Sequence, residues 1–300
     1  MDMFEFLATH QLVAIICVGI FGLIVGSFLN VVIYRLPIMM ERDWRNQCAE
    51  LLQQPSTTTD NEPIFNLAYP ASRCPSCGHH ITALENIPLF SYLWQRGKCT
   101  ACHTTISARY PTIEAISALL AMLTVWQTWH LIDFGLPLLG FVFLTWALLT
   151  LSMIDIDHQL LPDAITLPIL WLGILLNLLG FYPQVGLYNS VIGAMAGYLS
   201  LWSVYMLFKL ITGKEGMGFG DFKLLAMLGA WMGWQALPVI ILFSSLVGAV
   251  VGISLIVIRG QDRNIPIPFG PYLAAAGWIY LLWGDLLVHW YQHMTGIGVT

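Results

Sequence analysis

Long stretches without a charged side chain dominate this chain of 300 residues. A helix that crosses the hydrocarbon core of a bilayer needs about 20 consecutive apolar residues. Runs that contain no Asp, Glu, Lys or Arg cover residues 6–34, 115–132, 134–154, 164–208, 224–258 and 264–284. These runs predict an all-α polytopic membrane protein.

Two of these runs are too long for a single transmembrane helix. The turn-forming residues 182–186 and the polar Asn189 divide the run 164–208 into two spans. The run 224–258 fits either one steep helix or two short helices joined near residues 233–238. Positive charge favours two helices, because eight spans with the N-terminus outside then place all 12 Lys and Arg residues on the cytoplasmic side.

The basic residues then fall into three cytoplasmic loops: Arg35, Arg42, Arg45, Arg73, Arg96, Lys98 and Arg109; Lys209, Lys214 and Lys223; Arg259 and Arg263. We therefore expect about eight transmembrane helices with both termini outside. The chain divides into a first transmembrane helix (1–35), a cytoplasmic loop domain (36–111) and a seven-helix membrane domain (112–300). The polar stretch 53–59 in the loop is predicted to be a flexible linker.

The composition excludes several classes of protein. Hydrophobic residues make up 57% of the chain and charged residues 10%, whereas charged residues make up about 25% of a soluble domain. A net charge of -5 does not supply the basic surface that nucleic-acid binding requires. The acidic Asp2 and Glu5 stand where a removable signal peptide is basic. The expected partner is membrane lipid, with no nucleic acid.

Four of the six cysteines form two pairs of the same spacing, Cys74 with Cys77 and Cys99 with Cys102, separated by 21 residues. Two Cys-x-x-Cys pairs are typical of a structural zinc site of ribbon type, and four thiolates leave no open position for catalysis. Two disulfides are the alternative, which the reducing cytoplasm disfavours. The neighbouring His79, His80 and His103 are not expected to be ligands, and Cys17 and Cys48 receive no role.

Acidic residues border the apolar runs at two places. Carboxylates cost about 2.5 to 3.5 kcal/mol in hydrocarbon, so their presence there suggests a function. One group contains Asp155, Asp157 and Asp163, and the other is Gly218-Phe219-Gly220-Asp221. The predicted topology places both groups at the cytoplasmic face. Two facing Asp residues form an aspartic-protease site, in which an ionised carboxylate activates water and its protonated partner donates to the scissile carbonyl.

Each acidic group alone has an ordinary interpretation. A single Asp at a helix end is commonly solvated or caps the helix, and Asp163 after Pro162 fits an N-cap. A lone Gly-x-Gly-Asp often marks a turn. The glycines at 216, 218 and 220 would also let a substrate strand approach the backbone. The spacing does not distinguish Asp155 from Asp157 as the partner of Asp221.

Several motifs along the chain together carry a resemblance to a known family. They are GSFLNVV at 26–32, RLP at 35–37, the two cysteine pairs, ENIP at 85–88, RYP at 109–111 with Glu114, the segment 154–163, GFGDFK at 218–223 and PIPFGP at 266–271. With these motifs the chain resembles the type IV prepilin peptidases, the leader peptidases of type IV pilus and type II secretion systems.

This resemblance implies a bifunctional enzyme of the bacterial inner membrane with periplasmic termini. Such an enzyme cleaves the leader of prepilins and pseudopilins after a glycine at the cytoplasmic face, and then methylates the new N-terminus with S-adenosylmethionine. The family motifs imply that Asp155 and Asp221 are catalytic, that Gly218 and Gly220 shape the site, and that Cys74, Cys77, Cys99 and Cys102 bind Zn²⁺. Gly97 and Lys98 are candidates for the methyl-donor site.

Two other classes of function share parts of this pattern. An ion-coupled transporter also has many spans and buried acids, but it predicts acids near mid-span and an inverted symmetry that this sequence lacks. A membrane scaffold that recruits partners through the zinc loop would leave the Gly-x-Gly-Asp motif without a purpose.

Overall fold

The computed structural model describes residues 3–53, 65–132, 134–214, 216–259 and 267–295. Within these ranges the regular secondary structure is helical, with isolated β-bridges and no β-strand. The helices are α1 (Met3–Thr9), α2 (Gln11–Leu51), α3 (Phe90–Trp94), α4 (Arg109–Thr128), α5 (Leu136–His158), α6 (Asp163–Leu178), α7 (Gly186–Thr212), α8 (Phe219–Met232), α9 (Leu237–Arg259) and α10 (Gly270–Thr295). The expected all-α fold is confirmed.

The chain forms two compact units, Met1–Trp126 and Gln127–Thr300. The sequence divided the chain differently, at residues 35 and 111, because it separated membrane segments from a cytoplasmic loop. That division stays a prediction. Apart from Gln53, the predicted linker 53–59 lies outside the described residues.

In the first unit, α2 is a continuous helix of 41 residues that passes through Pro37. It therefore extends well beyond residue 35, where the sequence placed the end of the first span. Exposed apolar side chains recur every four residues on one face, at Leu12, Ile16, Ile20, Ile24 and Phe28. Residues four apart share one face of a helix. A continuous exposed apolar face of this kind suits contact with lipid.

The opposite face of α2 packs closely against α4. A Cβ atom on Gly26 would lie 2.7 Å from the Cα atom of Glu114, and one on Gly22 would lie 2.8 Å from the Cα atom of Ala118. The Ser117 hydroxyl donates a hydrogen bond of 2.7 Å to the Gly22 carbonyl. Small residues and hydroxyl groups at the contact are typical of helices that associate in membranes.

In the second unit, α8 is the central helix, and its residues from Asp221 to Met232 are almost all buried. It packs against α6, α7 and α10. A Cβ atom on Gly193 of α7 would lie 2.2 Å from the carbonyl oxygen of Gly229, so only glycine permits this approach. With 14 residues, α8 is about 21 Å long, which is short for a bilayer crossing.

The long run 224–258 is interrupted at Gly233, which has a φ of 81°. A 3₁₀ turn, Trp234–Ala236, follows before α9 begins at Leu237. The interpretation of this run as two helices is confirmed. In the described part of the chain, four helical segments are long and apolar enough to cross a membrane: Gln11–Leu51, Leu136–His158, Gly186–Thr212 and Trp234–Leu255. The total of eight crossings stays a prediction.

Candidate active site and metal centre

Two buried acids lie at the ends of two helices of the second unit. Asp155 belongs to the C-terminal turn of α5 and is 5% exposed, and Asp221 belongs to the first turn of α8 and is 8% exposed. Both acids adjoin Leu161. A Cβ atom on Gly270 would lie 2.7 Å from Oδ2 of Asp155 and 3.1 Å from Cδ2 of Leu161, and one on Gly220, next to Asp221, would lie 2.8 Å from Cβ of Leu161. We call Asp155 and Asp221 the acidic dyad. The structure brings together the two residues that the family motifs selected.

Gly270, the first residue of α10, is a third component of this site. Its backbone amide donates a hydrogen bond of 3.0 Å to Oδ2 of Asp155. A Cβ atom at this position would lie 2.7 Å from the same oxygen. No role was assigned to Gly270 from the sequence, although it lies within the PIPFGP motif. The motif could have pointed to Gly270 as a site residue. Its contact with Asp155, however, joins residues 115 positions apart in the chain.

The glycines of the Gly-x-Gly-Asp motif differ in their surroundings. A Cβ atom on Gly220 would lie 2.8 Å from Cβ of Leu161, so this glycine allows the Leu161 side chain to pack beside the dyad. On Gly218, the one atom that a Cβ would meet is Oδ2 of Asp221, at 4.0 Å. The space beside Gly218 is therefore open next to the dyad.

The two remaining acids of the first group, unlike the dyad, are exposed. Asp157 is exposed, two residues beyond Asp155 on α5. Asp163 was expected to cap α6, but the N-cap is Pro162 and no side-chain cap bond forms. Instead, the Asp163 carboxylate accepts hydrogen bonds of 2.7 and 2.6 Å from Nζ of Lys223. An ion pair between α6 and α8 replaces the cap.

In the first unit, the two cysteine pairs have nearly the same backbone geometry. Each first cysteine accepts a hydrogen bond from the amide four residues later, from Gly78 to Cys74 and from His103 to Cys99. Both of these donors have positive φ, at 71° and 58°. Each motif therefore forms a tight loop that turns its two thiols to the same side.

The four thiols converge on one point. All four Sγ atoms lie within 4.8 Å of one another. The Sγ atoms of Cys74 and Cys102 are 3.8 Å apart, and those of Cys77 and Cys99 are 4.0 Å apart. A tetrahedral zinc ion with Zn–S bonds of about 2.3 Å would separate its sulfurs by about 3.8 Å. The cluster therefore fits zinc, and all six cysteines, which lie in the described ranges, are free thiols.

Glu85 connects the two cysteine loops. Its carboxylate accepts hydrogen bonds from the Thr100 hydroxyl, from the amide and hydroxyl of Thr82, and interacts with Nε2 of His79 at 3.2 Å. The Thr100 hydroxyl and the Thr82 groups lower the pKa of Glu85 to about 2. His79 is engaged with Glu85 and lies outside the thiol cluster.

A cavity of about 470 Å³ adjoins the thiol cluster within the first unit. Its lining includes Cys74 and Cys99, Asn30 and Arg35 of α2, and Glu114 of α4. Gly97 and Lys98 lie between Gln95 and Cys99, both of which line the cavity. A Cβ atom on Gly97 would lie 2.9 Å from the Tyr92 hydroxyl, and Tyr92 is a lining residue. Gly97 is therefore placed to affect the cavity through Tyr92.

Comparison with known proteins gives two adjacent family matches. Residues 20–128 match the bacterial peptidase A24 N-terminal domain, and residues 142–253 match the type IV leader peptidase family. The first match contains the cysteine cluster and the cavity. The second contains both acids of the dyad.

Proteins named prepilin leader peptidase/N-methyltransferase are similar over almost the full chain. One from Aeromonas salmonicida is 55% identical over 91% of this chain and 92% of its own length. One from Pseudomonas aeruginosa is 52% identical over 99% of both chains, and one from Legionella pneumophila is 42% identical over 91% of this chain and 93% of its own. No solved structure matches. The chain belongs to the type IV leader peptidase family.

Proposed function

We propose that this chain is a membrane aspartic endopeptidase that removes the leader of type IV prepilins and type II secretion pseudopilins, and then methylates the new N-terminus. The observation that supports cleavage is the acidic dyad, two buried carboxyl groups at helix ends that adjoin Leu161. The name shared by the relatives, prepilin leader peptidase/N-methyltransferase, supports both activities.

In the proposed cleavage, one acid of the dyad is ionised and takes a proton from water. The other is protonated and donates to the oxygen of the scissile carbonyl. The Gly270 amide holds Oδ2 of Asp155, which restricts rotation of this carboxyl group. The open space at Gly218 allows the substrate backbone to approach the dyad. The cut follows a glycine at the cytoplasmic face.

We propose one zinc ion per chain, held by Cys74, Cys77, Cys99 and Cys102. The convergence of the four thiols supports this assignment. The role is structural, because four thiolates complete the coordination shell of zinc. Its binding free energy contributes to folding of the cysteine loops.

S-adenosylmethionine is the proposed methyl donor, and when bound it supplies an activated methyl group to the new N-terminal amine. Gly97 and Lys98 are proposed to act in this second reaction. A Cβ atom added at Gly97 would lie 2.9 Å from the hydroxyl of Tyr92, which lines the cavity. This closeness supports a role for Gly97 in methylation.

The proposed location is the bacterial inner membrane, with multiple spans and periplasmic termini. The positive-inside distribution of the Lys and Arg residues supports this orientation. In this orientation residues 1–35 and 112–300 belong to the membrane and residues 36–111 to the cytoplasm. Membrane lipid is the proposed partner of the apolar helices.

The transporter alternative is not favoured. Transporters hold coupling ions near the bilayer midplane, whereas Asp155 and Asp221 lie at helix ends. A scaffold function would not need a pair of buried acids at helix ends.

The test is incubation of the detergent-solubilised chain with a synthetic prepilin, with and without S-adenosylmethionine. Mass spectrometry should detect a shortened product in both samples and one added methyl group only with the donor. An intact prepilin would contradict the proposed peptidase. A shortened product that is never methylated would contradict the second activity alone.

A further inference from the structure

One buried basic and one buried acidic side chain line the cavity of the first unit. Arg35 is 9% exposed and Glu114 is 8% exposed, and both line the cavity. Buried charges in proteins are normally paired, because removing a charge from water is costly. Neither side chain forms an ion pair with another residue in the described ranges.

The partners of these two side chains are neutral. The Arg35 guanidinium donates hydrogen bonds to the carbonyls of Asn66 and Pro70, at 2.9 and 2.7 Å. Oε2 of Glu114 accepts a hydrogen bond of 2.9 Å from the Leu89 amide, and the Ser27 hydroxyl also donates to this carboxyl group. These contacts position both groups, and among the described residues no side chain of opposite charge pairs with either one. A ligand with one positive and one negative group would compensate both charges.

The rest of the wall suits an aromatic ring system. Tyr34, Tyr92 and Tyr110 line the same cavity. Aromatic side chains provide faces on which nucleic-acid bases stack. The cavity volume of about 470 Å³ lies within the range of roughly 300–1,000 Å³ that is usual for small-molecule sites.

We propose that this cavity binds S-adenosylmethionine, with Arg35 holding the carboxylate and Glu114 the ammonium group of its amino-acid end. This inference rests on the proposed methylation and names the residues that would recognise the donor. The tyrosines then accept the adenine ring. The cysteine loops supply one wall, which connects the proposed zinc ion to donor binding.

The test measures binding rather than turnover. The full chain, loaded with zinc in detergent, is titrated calorimetrically with S-adenosylhomocysteine and with 5′-methylthioadenosine, which lacks the amino-acid end. Arg35→Gln and Glu114→Gln should each weaken binding of S-adenosylhomocysteine by about tenfold or more, because each removes a charged hydrogen-bond partner of the amino-acid end. Binding of 5′-methylthioadenosine should change by less than about twofold, because it does not reach these groups.

Arg45→Gln and Glu41→Gln are the matched controls, because they remove an exposed ion pair from the same helix α2. Both controls should bind the two ligands like the unmodified chain. Unchanged affinity for S-adenosylhomocysteine in both cavity variants would overturn the inference. An equal loss of affinity for both ligands would also overturn it, because the amino-acid end would then not be recognised by these charges.

A second measurement needs no substitution, so it still tests the inference if the cavity variants lose zinc and fail to fold. The unmodified chain is cross-linked by ultraviolet light to radiolabelled S-adenosylmethionine, and the labelled peptides are identified. Label within residues 27–35 or 72–114 supports the inference, and label confined to residues 127–300 overturns it. Failure of the unmodified chain to methylate a processed prepilin would contradict the proposed function instead. A chain that methylates but is labelled elsewhere contradicts this inference alone.

Discussion

The backbone amide of Gly270 donates a hydrogen bond of 3.0 Å to Oδ2 of Asp155, joining the start of α10 to the last turn of α5. This bond holds one buried acid of the dyad through a main-chain group that no substitution removes, except proline. It also leaves no space for a side chain at residue 270, because a Cβ atom would lie 2.7 Å from the carboxylate oxygen.

Gly270→Ala should therefore impair leader cleavage by displacing Asp155. A displacement of about 1 Å at a reacting group lowers rates by up to about 100-fold. The measurement is the rate of prepilin shortening by purified protein. Gly252→Ala is the control, because its Cβ atom would meet one flexible atom, Cδ1 of Ile267, at 3.2 Å. Equal rates for Gly270→Ala and the control would refute the positioning role of Gly270.

Asp155→Asn and Asp221→Asn should each abolish leader cleavage while the chain still inserts into the membrane. The amide keeps the shape of the side chain but does not exchange the proton, and general acid–base catalysis contributes about 10²- to 10⁴-fold. Gel analysis of prepilin in cells that express each variant measures the effect. Asp157→Asn should retain much of the activity, because Asp157 is exposed. Normal processing by either dyad variant would remove that residue from the catalytic pair.

Gly220→Ala and Gly218→Ala should differ in their effect on the protein without substrate. The new methyl group at 220 would lie 2.8 Å from Cβ of Leu161, whereas at 218 it would find open space. Overpacking costs typically about 1–3 kcal/mol, so Gly220→Ala should lower the thermal unfolding temperature and Gly218→Ala should not. If Gly218→Ala folds normally but cleaves slowly, the open space serves the substrate. Equal unfolding temperatures for both variants would disprove the packing argument.

Purified protein should contain about one zinc ion per chain by elemental analysis, because four Sγ atoms lie within 4.8 Å of one another. Cys77→Ser should reduce the zinc content and expose the cysteine loops to proteolysis, because zinc binding contributes to folding. Cys48→Ser is the control, since this cysteine lies on α2 outside the cluster. Protein that contains no zinc would contradict the metal site.

Gly97→Ala should reduce methylation more than cleavage. The substitution adds a Cβ atom 2.9 Å from the Tyr92 hydroxyl, and the φ of 67° is unfavourable for alanine by roughly 1–2 kcal/mol. Gly186→Ala introduces the same strain at a φ of 68°, but no atom lies within 4 Å of its Cβ, and Gly186 lies outside the cysteine loops. The comparison separates backbone strain from contact with Tyr92. Equal losses of cleavage and methylation in Gly97→Ala would contradict a separable methyl-donor site.

The helices and the cysteine cluster could be predicted because their signals are local in the sequence. Uncharged runs of about 20 residues require helices in a bilayer, since backbone groups must find partners within the segment. The two cysteine pairs have internal spacings that shape each loop without help from distant residues. The break near Gly233 was also predictable, because the run was too long and the charges required an even number of crossings.

Other features depended on how distant segments pack. The segment that forms α8 was predicted as one of eight crossings, and the structure adds that its 14 residues form the buried centre of the second unit. Glycines of α7 and α8 permit this arrangement by direct backbone contact. Hydropathy does not distinguish burial in protein from burial in lipid, because both environments exclude water.

The sequence by itself determined an all-helical membrane protein with a four-cysteine cluster and two acidic groups, because hydropathy and motif spacing act over short stretches. The family motifs selected Asp155 over Asp157, and only the tertiary structure gave the physical reason. Residues two positions apart on a helix point in different directions, and Asp155 is buried whereas Asp157 is exposed. The tertiary structure also brought Gly270 to Asp155, and Arg35 and Glu114 to one cavity. These relationships join residues far apart in the chain, and they exist only once the helices have packed.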